Sequence, residues 1–292
     1  MVDIREETGW NQMRYDIRTY TIQNERNRVS GNPGEIPEDY MYVGDKCFLN
    51  NGKVHGVTLP PGCKVIGKHA FEGCQFQKTV SFPPSLTEIK KRAFAGNRRL
   101  RKTFFPYTVE KVGTECYREC SSLKIVEFEK NSRCKTISEG TFDSCTRLEK
   151  VCLPDTLKVI KKRAFYRCKE LKKIAIPNSV TNIGKEAFYF CGLEELQLPV
   201  SLKIIDDSAF FRCKNLKTVF IPSNVRVIGR WAFHGCSRLE KLEIFHDPDE
   251  IGPWIINKSC TIVCQKGSKI DAYGEEYGFR REYVDIPEEL NG

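Results

Sequence analysis

Long apolar runs are missing from this 292-residue chain. No stretch of eighteen apolar residues occurs, so no membrane-spanning helix is expected. The N-terminal MVDIREETGWNQMRYDIRTY has no apolar core of the signal-peptide kind. With Met1 taken as the native start, that favours the cytoplasm; a processed N-terminus would leave a cell-surface or secreted location open. Histidine is also scarce, with only His55, His69, His234 and His246. There is no His-x-x-x-His, no Gly-x-Ser-x-Gly and no glycine-rich phosphate loop. No histidine stands at a fixed offset from the cysteines, as nucleophilic pairing would need. Glu194-Glu195 and Asp206-Asp207 are adjacent carboxylates, and adjacent side chains in an extended segment point apart. The expectation is a non-catalytic protein with no cofactor, no metal and no small-molecule substrate.

What the chain does have is a rhythm. Phe71, Phe94, Tyr117, Phe142, Phe165, Phe188, Phe210 and Phe233 follow one another at steps of 23, 23, 25, 23, 23, 22 and 23 residues. Five residues before each aromatic stands Ile66, Ile89, Val112, Ile137, Ile160, Ile183, Ile205 or Ile228. Three residues after it stands Cys74, Asn97, Cys120, Cys145, Cys168, Cys191, Cys213 or Cys236. Pro60, Pro83, Pro106, Pro154, Pro177, Pro199 and Pro222 punctuate the units. A small polar residue follows two positions on, as Ser85, Thr108, Thr156, Ser179, Ser201 and Asn224. Such side chains suit a turn, bonding backbone groups inside the coil.

A single unit of this length cannot bury its own apolar side, whereas stacked units share a continuous core. The triplet of the type Leu171-x-x-Ile174-x-Ile176 reads as a short strand, stopped by Pro177. Stacked in parallel at ~4.8 Å per strand, eight such strands would form one sheet roughly 40 Å long.

The segment 171–191, Leu-x-x-Ile-x-Ile-Pro-x-Ser-Val-x-x-Ile-x-x-x-Ala-Phe-x-x-Cys, resembles the BspA-type leucine-rich repeat, the Treponema pallidum class. The fold class expected is an α/β repeat solenoid with parallel strands, short helical or turn segments and eight repeats plus caps. Residues 1–56 are read as an N-terminal tail and cap, 57–245 as the array and 246–292 as the C-terminal cap. Within the first segment, residues 14–23 are a candidate strand and the first ten residues a disordered tail. After Phe245 the pattern predicts a strand at 260–263, a helix at 268–277 and a closing strand at 279–284, similar to the terminal module of that family. The resemblance also implies partner binding, and its surface or secreted members imply adhesion to host proteins as an alternative role.

Fourteen cysteines could suggest a disulfide protein, yet seven fall in one repeat column. Cys63, Cys116 and Cys134 also occupy apolar repeat positions, so free, buried thiols acting as small hydrophobes are expected. Cys152 should face outward.

Lysine and arginine number 47 against 38 acidic residues, a net charge of +9. The densest basic tract is Lys90-Lys91-Arg92 with Arg98-Arg99-x-Arg101-Lys102, followed by Lys161-Lys162-Arg163. These make a polyanion or nucleic acid an alternative partner, although Asp206-Asp207 interrupts the stripe. The preferred partner is a protein, held on the outward residues of the strands. From the alternation these are Lys102, Phe104, Lys150, Lys173, Glu195, Thr218, Phe220 and Lys241, with the two phenylalanines as aromatic anchors.

Overall fold

The computed structural model describes residues 18–28 and 31–284. The chain winds as a parallel β-solenoid, one coil per sequence repeat. The longest sheet has eleven two-residue strands, from Thr19–Tyr20 and Tyr42–Val43 through Asn182–Ile183 to Glu250–Ile251. Its second residues, including Ile66, Ile89, Ile160, Ile183, Ile205 and Ile228, pair in register down the whole stack. This sheet was expected instead from the Leu-x-x-Ile-x-Ile triplets.

Those triplets form two separate four-stranded sheets. One contains Thr79–Val80, Lys102–Phe105, Ile125–Phe128 and Lys150–Cys152. The other contains Thr218–Ile221, Lys241–Ile244, Thr261–Cys264 and Arg280–Tyr283. Between them, residues 171–176 and 194–199 follow the same path without a strand ladder. The break coincides with one shortened corner. After Cys120, Cys145, Cys168, Cys213 and Cys236 two residues precede the next leucine, whereas Gly192 alone separates Cys191 from Leu193. A Cβ on Gly192 would lie 2.0 Å from the Lys169 carbonyl oxygen, so only glycine fits this tighter path.

The aromatic column is the spine. Phe71, Phe94, Tyr117, Phe142, Phe165, Phe188, Phe210 and Phe233 are all fully buried. Consecutive rings stack at 5.1–5.7 Å, for example 5.2 Å between Phe165 and Phe188 and 5.7 Å between Tyr117 and Phe142. Each such pair adds about 0.5–1.5 kcal/mol beyond area burial. The stack continues at its start through Phe48, 5.0 Å from Phe71, and Tyr20, 6.0 Å from Phe48. Coil geometry thus extends beyond residue 57 toward the N-terminus and, through Glu250–Ile251, beyond residue 245. The one tyrosine in the column is matched by a partner: Tyr117 Oη lies 3.0 Å from Thr103 Oγ1, which stands where other coils bury valine, isoleucine or leucine.

Two polar columns tie coil to coil. Ser85, Thr108, Thr156, Ser179 and Ser201 donate their hydroxyls to carbonyls of the preceding coil, at 2.6–2.8 Å to Pro61, Leu86, Ser132, Asp155 and Val180. They act between coils, not inside one as expected, because stacking brings the next turn's carbonyls closer than the residue's own. The cysteine column does the same from within the core. Cys74, Cys120, Cys145, Cys168, Cys191, Cys213 and Cys236 each place Sγ 2.9–3.3 Å from the carbonyl oxygen of the aromatic one coil back. Asn97 keeps the bond with an amide, donating to Phe71 O at 2.8 Å.

Among the described residues, helices occur only near the ends. Ile22–Arg26 begins at Thr21, whose hydroxyl accepts from Asn24 N–H in a capping box. The candidate strand at 14–23 is therefore a strand only at Thr19–Tyr20 among the described residues, and then turns helical. Residues 14–17 and the expected disordered tail lie outside the described residues. At the other end, Thr261–Cys264, the helix Lys269–Glu276 capped by Ser268, and Arg280–Tyr283 follow the predicted order. Among the described residues, no helix is long and apolar enough to cross a membrane.

Candidate functional site

Strand alternation alone decides which way the outer side chains point. In Lys102–Phe105 the pattern puts Thr103 and Phe105 inside, leaving Lys102 and Phe104 on the surface. Thr218–Ile221 does likewise with Thr218 and Phe220. Lys150, Lys173 and Glu195 are exposed, and Lys241 is half-buried. All eight expected residues therefore lie on one side of the outer strand path. They do not form one continuous sheet face. Lys102, Phe104 and Lys150 belong to the first four-stranded sheet, and Thr218, Phe220 and Lys241 to the second. Lys173 and Glu195 occupy the break between them.

Parallel register sets the electrostatics. Lys102, Ile125 and Lys150 pair laterally, as do Phe104, Glu127 and Cys152. Glu127 is thereby gripped by two ammonium groups, Lys102 Nζ at 2.7 Å and Lys150 Nζ at 3.3 Å. Their hydrogen bonds, that from Lys102 first, hold its carboxyl below the usual range. Lys173 bonds Glu195 at 2.8 Å and Lys241 bonds Glu282 at 2.8 Å, and each bond raises its lysine. The charged members of this face are mutually paired. Each exposed pair is worth at most about 1 kcal/mol, so they shape the surface more than they stabilise it.

Against this neutralised background Phe104 is 38% and Phe220 49% exposed. Phe220 leans on Phe245, with centroids 5.9 Å apart. The Phe104 ring forms no ring pair among the described residues.

Among the described residues, five of the ten cations in the basic tracts read from the sequence have an acidic partner: Arg92, Arg98, Lys102, Lys162 and Arg163. Arg92 bonds both Glu72, at 2.7 Å, and Glu115, at 2.6 Å. Arg98 reaches Glu119 at 3.7 Å, Lys162 reaches Glu139 at 3.4 Å and Arg163 bonds Glu186 at 2.5 Å. Their charge is returned by acids one coil away, which linear spacing hides.

Three of the four histidines have partners: His69 with Glu72, His234 with Ile256 O and His246 with Val225 O. Burial pushes the thiols of Cys63, Cys74, Cys120 and Cys260 up to about 12, which disfavours the thiolate a nucleophile needs.

A second surface feature was not anticipated. Tyr166, Tyr189, Phe211 and His234 directly follow four spine phenylalanines and stack into an external ladder at 4.8, 5.0 and 5.9 Å. Beside it Trp231 and Trp254 stand exposed. The signal was present as consecutive aromatic pairs at 165–166, 188–189 and 210–211.

The sequence matches the profile of the BspA type leucine rich repeat region in six copies, over residues 41–145 and 135–263. No curated protein matches it. Among solved structures, the fold is similar to a leucine-rich repeat protein from Bacteroides ovatus, with 24% identity and a TM-score of 0.65 over 87% of this chain and 66% of that one. It is also similar to the pneumococcal vaccine antigen PcpA, with 18% identity and a TM-score of 0.51 over 92% of this chain and 83% of that one. The chain thus spans just under two thirds of the Bacteroides ovatus protein.

Proposed function

Because the chain belongs to the BspA-type leucine-rich repeat family, we propose that it is a non-catalytic scaffold that holds a protein partner against its outer strand path. The observation that carries this reading is the pair of exposed aromatics, Phe104 and Phe220, set among charges already paired with one another. Large apolar rings on a surface cost solvation, and these two stand outside the buried core of the coil stack. Aromatic rings are the side chains that most often anchor protein contacts, and ion pairs around them exclude water without dominating the energy. By repeat spacing they lie five coils apart, about 24 Å at ~4.8 Å per coil. A partner touching both would have to lie along the solenoid, across the break at Lys173 and Glu195.

The double substitution Phe104→Ser and Phe220→Ser tests this. The thermal midpoint should stay close to that of the parent, since surface changes away from the core usually shift stability within about 0.5 kcal/mol. Quantitative affinity capture should lose at least one protein retained by the parent. An identical captured set overturns the reading, as does unfolding of the variant, which would place these rings in the core.

A further inference from the structure

Among the described residues, four cations without an ion pair cluster over a short row of rings at one corner of the coil. Lys169 Nζ sits 5.4 Å and Lys214 Nζ 5.6 Å from the centroid of Phe190. The guanidinium of Arg167 lies 5.3 Å from the Tyr166 ring, and that of Arg212 lies 5.4 Å from the Phe211 ring. Among the described residues no carboxylate is within ion-pair distance of any of the four, whereas neighbouring Lys162, Arg163, Lys172, Lys185 and Arg230 each have one. All four are exposed.

The fold assembles this cluster in a specific way. Arg167, Phe190 and Arg212 occupy the same corner of three successive coils, each with positive φ, at 59°, 57° and 59°. Other coils put Gly73, Gly96 and Gly235 at that corner, or Glu119 and Ser144 with φ of 60° and 61°. Lys169 and Lys214 occupy one position two coils apart, and the residue between them is Gly192. With no side chain there, both ammonium groups reach the same phenyl ring. The rings hold the cations without neutralising them, which lowers the ordering cost of binding.

We infer that this corner is a binding site for a linear sulfated polysaccharide. The two cation pairs stand about 10 Å apart, two coils at ~4.8 Å, and form a short positive track along the solenoid. Its ligand must supply repeated strong anions, which arginine and lysine together recognise through charge-assisted hydrogen bonds. Single-stranded nucleic acid would also need open aromatic faces for its bases. Here those faces are used: Phe190 is covered by Lys169 and Lys214, while Tyr166, Tyr189 and Phe211 stack on one another. The Tyr166 and Tyr189 hydroxyls make no hydrogen bond among the described residues and offer donors at the outer edge of the ladder. This site lies at a different corner from Phe104 and Phe220 and does not depend on them.

The test compares two variants carrying equal charge loss. One replaces Arg167, Lys169, Arg212 and Lys214 with Gln; the other replaces Lys90, Lys91, Arg99 and Arg101 with Gln. Both are titrated with heparin oligosaccharides across a salt series, and circular dichroism confirms folding. The first variant should lose at least tenfold in heparin affinity, and its salt slope should fall by about 3–4, one unit per lost contact. The second should keep most of its affinity. Equal losses in both would reduce the effect to net charge and overturn the site. Unchanged binding by the first variant would overturn it too. Binding of single-stranded oligo(dT) or poly-glutamate as tightly as heparin by the parent would reassign the ligand class and overturn the proposal.

Discussion

At the residue scale, the cysteine column shows how one atom serves two purposes. Each thiol fills core volume as a small hydrophobe and also donates to a carbonyl one coil back. That carbonyl already accepts a backbone bond; Phe142 O, for example, takes Cys145 N–H at 3.1 Å and Cys168 Sγ at 3.3 Å. The thiol bond is therefore supplementary, in the range of about 0.5–1.5 kcal/mol. Burying the thiol has the larger electrostatic consequence. Burial lifts Cys63, Cys74, Cys120 and Cys260 from the ordinary 9.0 to about 12. The folded state thus holds these protons more tightly than the unfolded chain does. Their contribution to stability is fully present below pH 9 and is lost as pH rises from there toward 12. Each such thiol removes about 1.4 kcal/mol per pH unit in that window. The expected outcome is a thermal midpoint that falls steeply and progressively above pH 9, followed by circular dichroism under reducing conditions. A flat midpoint between pH 9 and 11 would contradict the burial of these four thiols.

At the scale of the element, the third residue after most two-residue strands keeps one left-handed conformation and is rarely glycine. His69, Arg92, Glu115, Arg163, Glu186, Ser208, Trp231 and Trp254 all have φ between 53° and 57°, and only Gly140 in this series avoids the side-chain penalty. The conformation persists because it aims the N–H at the next coil, as in Ser208 N to Arg230 O at 2.9 Å and Trp231 N to Pro253 O at 3.1 Å. A left-handed L-residue costs roughly 1–2 kcal/mol, part of which glycine returns as unfolded-chain entropy. Ser208 is buried and its hydroxyl makes no bond among the described residues, so Ser208→Gly should stabilise the protein by about 0.5–1 kcal/mol. A urea midpoint that rises for Ser208→Gly but not for Ser208→Ala is the check. These corners were illegible in the sequence, because no residue type marks them. The spine and the cysteine column were legible because burial enforces the same residue class in every coil. The long sheet was misplaced onto the Leu-x-x-Ile-x-Ile triplets because strands of two residues, such as Asn182–Ile183, are too short to show alternation. For the surface, alternation correctly set Phe104 and Phe220 outward. The pairing of Lys102 and Lys150 on Glu127 depends on coil register, which no linear spacing displays.

For the whole molecule, a solenoid is close to one-dimensional: each coil is stabilised by its two neighbours, and the ends need a different solution. At the C-terminal end the helix Lys269–Glu276 folds over the last coil and brings Tyr273 into the core. Its hydroxyl donates to Gly252 O at 3.1 Å and accepts Ile255 N–H at 3.1 Å. Ile255 is fully buried, and its carbonyl accepts Phe233 N–H at 2.8 Å, the last link of the spine ladder. One phenol thus closes the backbone bonding that every earlier coil receives from its successor. Tyr273→Phe keeps the ring, and with it the contacts to Tyr277 at 4.6 Å and Phe279 at 5.9 Å. It leaves the Ile255 N–H buried without a partner, at a cost of about 1–3 kcal/mol. Nearest-neighbour coupling then predicts where the loss is felt. Hydrogen exchange should accelerate across residues 251–284, less in the coil of Phe233, and not measurably before residue 200. A uniform acceleration along the chain would mean that the coils unfold as a single cooperative block, and that the terminal phenol guards the whole stack rather than its end.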